Sequence, residues 1–388
     1  MVKQCPKCGK NFNGRSSYCQ NCKNKRHHRN KRRLIIYSVV GSSLLLALAL
    51  ISVVLWHRYQ ASTKELLGQS EVVSTSALTS DRLNTSASSQ IAPTNNSDSL
   101  QAIVSAETPE SNQVASGQLV NTANVQALFE QYFGQLAGEH ALYFQQLSDE
   151  NGKQLAARAL TVQPQPQRSA SVIKLFVLVA LMQQVAQQQL ALNDLYTLQA
   201  EDIVGGTGQL QTQAIGSEWT LEQLATDMII YSDNTATNVL INQIGGIEAV
   251  NRSIQQLGYS QSTLQRYMMD FAAIEAGQDN WVTATEVGQL LARLYTGKAI
   301  NPMIDRQILA ILAQQTDHEN LEKRLPATYA LYNKSGQNAQ YGIRNDALLM
   351  ETPKGTYVVV VLSQNGHDSD QQEAMQAFGR GLSDLIEP

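Results

Sequence analysis

The last two thirds of the chain predict an α+β fold, an antiparallel sheet assembled from both ends of segment 121–388 with a helical subdomain inserted between them. Three patterns carry this. Runs of strand length, rich in apolar and β-branched residues, stand at 140–163 and again at 329–362. Between them, apolar residues recur at helical spacing. One stretch, 175–182, is apolar on nearly every side, which places it inside a core rather than at a surface.

In chain order, residues 122–137 read as an amphipathic helix. Strands at 140–147 and 154–163 are joined by the turn Asp149-Glu150-Asn151-Gly152. A helical stretch covers 220–251, broken at Ser232-Asp233-Asn234 and at Gly245-Gly246. Serine, aspartate and asparagine are poor in helix interiors, so the first break reads as a loop in which Ser232 or Asp233 caps the next helix. Helices fill 283–314. Strands at 329–334, 343–350 and 356–362 come next, the last two turning at Pro353-Lys354-Gly355, and a helix over 370–386 closes the chain.

The first third is different in kind. The 388 residues carry a formal charge of −4, but residues 1–33 hold eleven of the 29 Lys and Arg and no acid. The remainder has 18 basic against 33 acidic residues, a net of −15. All four cysteines lie here, as the pairs Cys5/Cys8 and Cys19/Cys22. Two C-x2-C knuckles read as a tetrahedral structural Zn2+ site, a ribbon over 1–24. Disulfides would need an oxidising compartment. Four thiolates leave the metal no open position, so the ribbon packs or docks a cytoplasmic partner rather than catalysing.

The basic segment 25–33 could clamp nucleic acid phosphates. The next segment favours a membrane instead: 34–56 is 23 residues without a charge, long enough to cross a bilayer. Dense positive charge before it predicts a cytoplasmic N-terminus, a single pass through the cell membrane and an extracytoplasmic C-terminal domain. Trp56-His57-Arg58-Tyr59 is no small-residue cleavage site, which argues against a removed signal peptide. Residues 57–120 then read as a disordered linker; 61–120 contain 19 Ser and Thr and no aromatic. As a flexible coil they would span about 40–45 Å.

Chemistry enters at Ser171-Val172-Ile173-Lys174. Three-residue helical spacing sets a hydroxyl beside an amine, and the free N–H groups of a first turn can hold an oxyanion. A serine is a weak nucleophile until a base takes its proton. For Lys174 to be that base at neutral pH its proton affinity must fall by about 4 kcal/mol, through burial and a second cation. Ser-x-x-Lys alone arises about once by chance in such a chain, so its context decides. That context is Ser232-Asp233-Asn234 and, at a strand end, Lys334-Ser335-Gly336.

In that order, the three motifs resemble the class A serine β-lactamases and related penicillin-binding proteins. The likeness covers about 121–388 and extends through Thr235 to Asn238, Ile244-Gly245-Gly246, Leu257-Gly258 and Arg324-Leu325-Pro326-Ala327. It implies a serine hydrolase of β-lactamase-like fold with no catalytic cofactor, acting on a cell-wall peptide or a β-lactam-like molecule. By that resemblance Ser171 is acylated, Lys174 is its base and Ser232 relays the proton to the leaving nitrogen. Asn234 holds the substrate amide, and Lys334 is the cation across the cleft. Ser335 binds a substrate carboxylate, and Gly336 lets an acyl chain lie against the strand. Gln337 gives the second oxyanion N–H. Arg344 either reinforces the carboxylate site or is a solvated strand charge. One departure stands out. The family's Glu-x-x-Leu-Asn pattern, whose glutamate activates water to clear the acyl-enzyme, is missing from 264–277, where Asp270 and Glu275 are the nearest carboxylates. The expectation is acylation with slow β-lactam turnover, or a sensor that binds without turnover.

Overall fold

The computed structural model describes residues 2–4, 11–13 and 119–388. The chain divides into two compact units, Met1–Ala106 and Glu107–Pro388. In the first, β1 (Val2–Gln4) and β2 (Asn11–Asn13) pair antiparallel, Val2 opposite Asn13. Cys5, Cys8, Cys19 and Cys22, the basic segment, the apolar span 34–56 and the linker to residue 118 lie outside the described residues. Among the described residues no helix is long and apolar enough to cross a membrane, and no group of three or more His, Cys, Asp or Glu could hold a metal ion.

The second unit opens with α1 (Thr122–Phe133), capped by the Asn121 side chain on Ala123 N–H. Strands β3 (Glu139–Ser148), β4 (Ala159–Val162) and β5 (Gln167–Arg168) come next, then a 3₁₀ turn, Ala170–Ile173, that leads directly into α2 (Lys174–Ala186). The insert comprises β6 (Leu195–Thr197), β7 (Glu218–Thr220), α3 (Leu221–Ile230), α4 (Asn234–Ile244), α5 (Ile247–Gln256), the short α6 (Phe271–Glu275), β8 (Trp281–Val282), α7 (Ala284–Tyr295) and α8 (Pro302–Leu312). The chain returns through β9 (Ala330–Asn338), β10 (Ile343–Thr352), β11 (Gly355–Gln364) and α9 (Asp368–Ile386).

The main sheet has the antiparallel order β4-β3-β11-β10-β9, so both ends of the segment build it, as the sequence predicts. Both faces are covered. Leu142, Phe144, Leu348, Met350, Val359 and Val361 meet α1 and α9; Tyr143, Ala347, Leu349, Val358 and Val360 meet the helical insert. That double burial explains why β11 reads as an unbroken apolar run rather than an alternation. The core stretch behaves as expected: every residue from Lys174 to Met182 is buried.

Three boundaries differ by four residues or more. The predicted strand 154–163 pairs only over Ala159–Val162, with an isolated bridge at Gln154, because it is an edge strand with partly exposed faces. The first helix ends at Phe133, not 137, with the chain turning at Gly134 and passing through Gly138 at φ 118°. The strand before the third motif does not stop at Lys334 but continues through Gly336 to Asn338.

Candidate active site

A cleft of about 430 Å³ opens where the 3₁₀ turn, the α3–α4 loop, the loop before α6 and β9 converge. Ser171, Ser232, Asn234, Lys334, Ser335, Gly336 and Gln337 all line it. Residues separated by up to 166 positions in sequence are thus brought to one place, as the motif order predicts.

Lys174 lies beneath the cleft, fully buried as the first residue of α2. Its Nζ donates to Ser232 O at 2.7 Å and to Asn234 Oδ1 at 2.9 Å, and stands 3.2 Å from Ser232 Oγ. Two acceptors and one hydroxyl suit an ammonium that gives three hydrogens as well as a neutral amine that gives two and receives one from the hydroxyl, so this site can hold the amine in either protonation state. Burial drives the Lys174 pKa well below the ordinary lysine value; the Lys334 charge lowers it further, and Asp233 opposes both. Among the described residues no hydrogen bond joins Lys174 Nζ to Ser171 Oγ, so the resting amine is bonded to Ser232 instead. Catalytic hydrogen bonds are often long or poorly aligned in a site without substrate, so this geometry is compatible with Lys174 as a base.

The α3–α4 loop presents Ser232 because Asp233 takes over the cap. Its side chain accepts from Ala236 N–H at 2.9 Å and from Leu210 N–H at 2.7 Å. Ser232 is left at φ 50°, a strained conformation for a residue with a Cβ, held by Lys174 and by Thr207 Oγ1, which donates to its carbonyl at 2.6 Å. Ala170, next to the nucleophile, is likewise at φ 42°. Both strained residues stand at the cleft.

On the far wall Lys334 is buried, and its Nζ donates to Ser335 O at 2.7 Å. Burial pushes its pKa down to about 8, with Asp317 and Asp346 pulling the other way. As the edge strand of the sheet, β9 leaves the backbone groups of its outer side without a strand partner. Ser335 Oγ donates to Asp317 Oδ2 at 2.7 Å.

One expectation about this wall needs correction, that for Arg344, and Gly336 has a part the sequence did not show. Gly336 lines the cleft, and its missing side chain matters on the inner side of the strand as well. A Cβ on it would lie 2.8 Å from Ser171 N and 2.9 Å from Ser169 O, so glycine is what lets β9 press against the nucleophile turn. Arg344 is not in the cleft, nor is it solvated. It shares the α9 face of β10 with Leu348 and Met350, buried and bound to Asp368 at 2.7 and 3.0 Å and to Asn320 Oδ1 at 2.7 Å. Strand alternation sends it away from the insert.

Neither Asp270 nor Glu275 faces the cleft; Asp270 caps α6 through Ala273 N–H at 3.0 Å. The cleft face of this loop is Arg266, Met268, Met269, Phe271 and Ile274. Arg266 latches it to Asp279 at 2.8 Å. Three contributors were not foreseen: Asn238, which holds Met268; Asp317, which holds Ser335; and Asn345, whose Nδ2 donates to Arg168 O at 2.9 Å and Ser169 O at 3.1 Å, tying the nucleophile turn to the sheet. Buried amides carry no pattern in a single sequence.

Among known proteins, the chain is similar to the β-lactamase of Streptomyces lavendulae, 35% identical over 159 residues, which are 40% of this chain and 51% of that relative. It is 29% identical to the β-lactamase of Streptomyces albus G over 184 residues, 46% of this chain and 58% of that one. The matches thus span about half the length of these curated relatives. Among solved structures, the β-lactamase from Sphaerobacter thermophilus superimposes with a TM-score of 0.60 at 27% identity, covering 69% of this chain and 98% of that one. PBP-A shares the fold, with a TM-score of 0.61 at 23% identity over 69% of this chain and 96% of its own. Residues of all three motifs line one cleft, a model of the β-lactamase enzyme family matches residues 122–386, and the chain belongs to that family.

Proposed function

We propose that the protein is a membrane-anchored serine hydrolase that works outside the cell by acyl transfer through Ser171. The observation that carries this reading is the buried Lys174 amine, bonded to Ser232 and Asn234 and lowered in proton affinity by burial and Lys334. In the reaction Ser171 Oγ adds to the carbonyl of an amide or ester while Lys174 takes its proton. The N–H groups of Ser171 and Gln337 hold the oxyanion. Ser232, already in contact with the amine, passes the proton to the leaving nitrogen as the C–N bond breaks, and an ester on Ser171 remains. Asn234 orients the substrate amide. The substrate class is a cell-wall peptide or a β-lactam-like ring; a variant of PBP-A is known as an acyl-enzyme complex with penicillin G.

Release of the ester needs an activated water. Asp317 is the carboxylate that lines the cleft among the described residues, and it is engaged with Ser335. We read release as slow, and a long-lived adduct would also suit a sensor. The four-cysteine ribbon, the span 34–56 and the linker supply a zinc-stapled cytoplasmic end, a single anchor and a tether.

A fluorescent penicillin tests the reading on the full chain. Wild type should be labelled and Ser171→Ala should not, with the label persisting for minutes. Penicillin hydrolysis at the speed of a resistance enzyme would overturn slow release, and absence of label would overturn acylation. The ribbon should bind one zinc and unfold in strong chelator.

A further inference from the structure

Asp317 changes what the far end of the cleft can bind. It lines the cleft beside Ser335, whose hydroxyl donates to its Oδ2 at 2.7 Å. A serine has one hydrogen to give, so toward a ligand this hydroxyl offers lone pairs. The cations that an incoming anion would need are committed elsewhere. Arg344, on the same face of the sheet as Ser335, is occupied by Asp368 and Asn320 and does not line the cleft. Lys334 Nζ donates to the Ser335 carbonyl at 2.7 Å and lies within the field of both Asp317 and Asp346. A carboxylate placed against Ser335 would meet another carboxylate, and like charges brought together at a binding surface cost several kcal/mol. An N–H group would meet two acceptors. A cationic amine would gain Asp317 but would sit against Lys334, which lines the same cleft one residue away.

We propose that this subsite takes an uncharged N–H donor, a carboxamide, where the family resemblance implies a carboxylate, so that the natural acyl donor is an amide-capped peptide. The inference rests on acyl transfer through Ser171 and specifies its substrate class.

Three thioesters with one N-acetyl-D-alanyl group test it, their thiol leaving groups ending in a carboxamide, a carboxylate or an ammonium. Attack by Ser171 Oγ forms the serine ester, breaks the C–S bond and sends the serine proton to the departing thiolate. Intact-mass measurement of the full chain should show the carboxamide reacting faster than the carboxylate by about tenfold or more, the scale of one unfavourable charge contact. Asp317→Asn should shrink or reverse that ratio. Equal rates in wild type, a faster carboxylate or ammonium, or an unchanged ratio in Asp317→Asn would overturn the assignment. If none of the three leaves an adduct on Ser171, acyl transfer itself fails. Equilibrium binding of N-acetyl-D-alanyl-D-alanine and its C-terminal amide then decides the subsite: tighter binding of the amide supports it and equal binding rejects it.

Discussion

Asn238 closes both main-chain groups of Met268, accepting from its N–H at 2.8 Å and donating to its carbonyl at 3.1 Å. The loop between Leu264 and α6 is therefore fixed at one residue, and that residue faces the cleft. Its thioether cannot take a proton from water.

A carboxylate at this position should supply what the cleft lacks. Met268→Glu is expected to shorten the lifetime of a fluorescent penicillin adduct on Ser171 by about a hundredfold, the lower range for a positioned general base. An unchanged lifetime would mean that release is limited elsewhere.

The buried amines predict a pH dependence. Acylation requires neutral Lys174, so its rate should rise with pH through a pKa well below the ordinary lysine value. Lys334→Met removes a neighbouring positive charge that disfavours protonation of Lys174, and should move this rising limb to higher pH. Labelling rates measured across pH in both proteins check the direction; a limb that stays in place or moves down would contradict it.

Gly336→Ala should damage the nucleophile turn more than the fold. The added methyl would meet Ser171 N at 2.8 Å and Ser169 O at 2.9 Å, main-chain atoms that cannot rotate aside. Asn345 holds the same turn from the sheet, so it has little freedom to withdraw. Acylation should fall by about tenfold or more, while overpacking costs about 1–3 kcal/mol of stability. Labelling at the wild-type rate would show that the turn yields.

Glu322 and Asp346 are buried together. Among the described residues neither Glu322 oxygen has a hydrogen-bond donor, and Asp346 has one through Leu321 N–H at 3.1 Å. Burial first, then the Asp346 charge, raises the Glu322 pKa well above the usual carboxylate value. A raised folded-state pKa gives stability that is full below the unfolded value and is lost as pH rises through the folded one. Glu322→Gln should therefore raise the melting temperature more at pH 8 than at pH 5, by about 2–4 °C for each kcal/mol relieved. Equal gains at both pH values would count against this.

The helical insert, the buried α2 and the two-ended sheet were legible because apolar periodicity reports which side of an element is buried. The site was legible as far as Ser171, Lys174, Ser232, Asn234 and Lys334, since each sits in a short motif. Arg344 was misread because its strand parity shows only once the sheet has two covered faces. The contact that Gly336 permits with Ser171 was not legible, because it joins segments 165 residues apart.

By itself the amino-acid order determined the fold class and the set of reactive groups that share a cleft. Tertiary packing alone decided that the resting Lys174 amine bonds Ser232, that Met268 occupies the cleft face of its loop, and that Asp317 takes the Ser335 hydroxyl. Local sequence sets which atoms an element offers on each face, whereas the atoms that meet them come from distant loops and are chosen by burial and hydrogen-bond satisfaction.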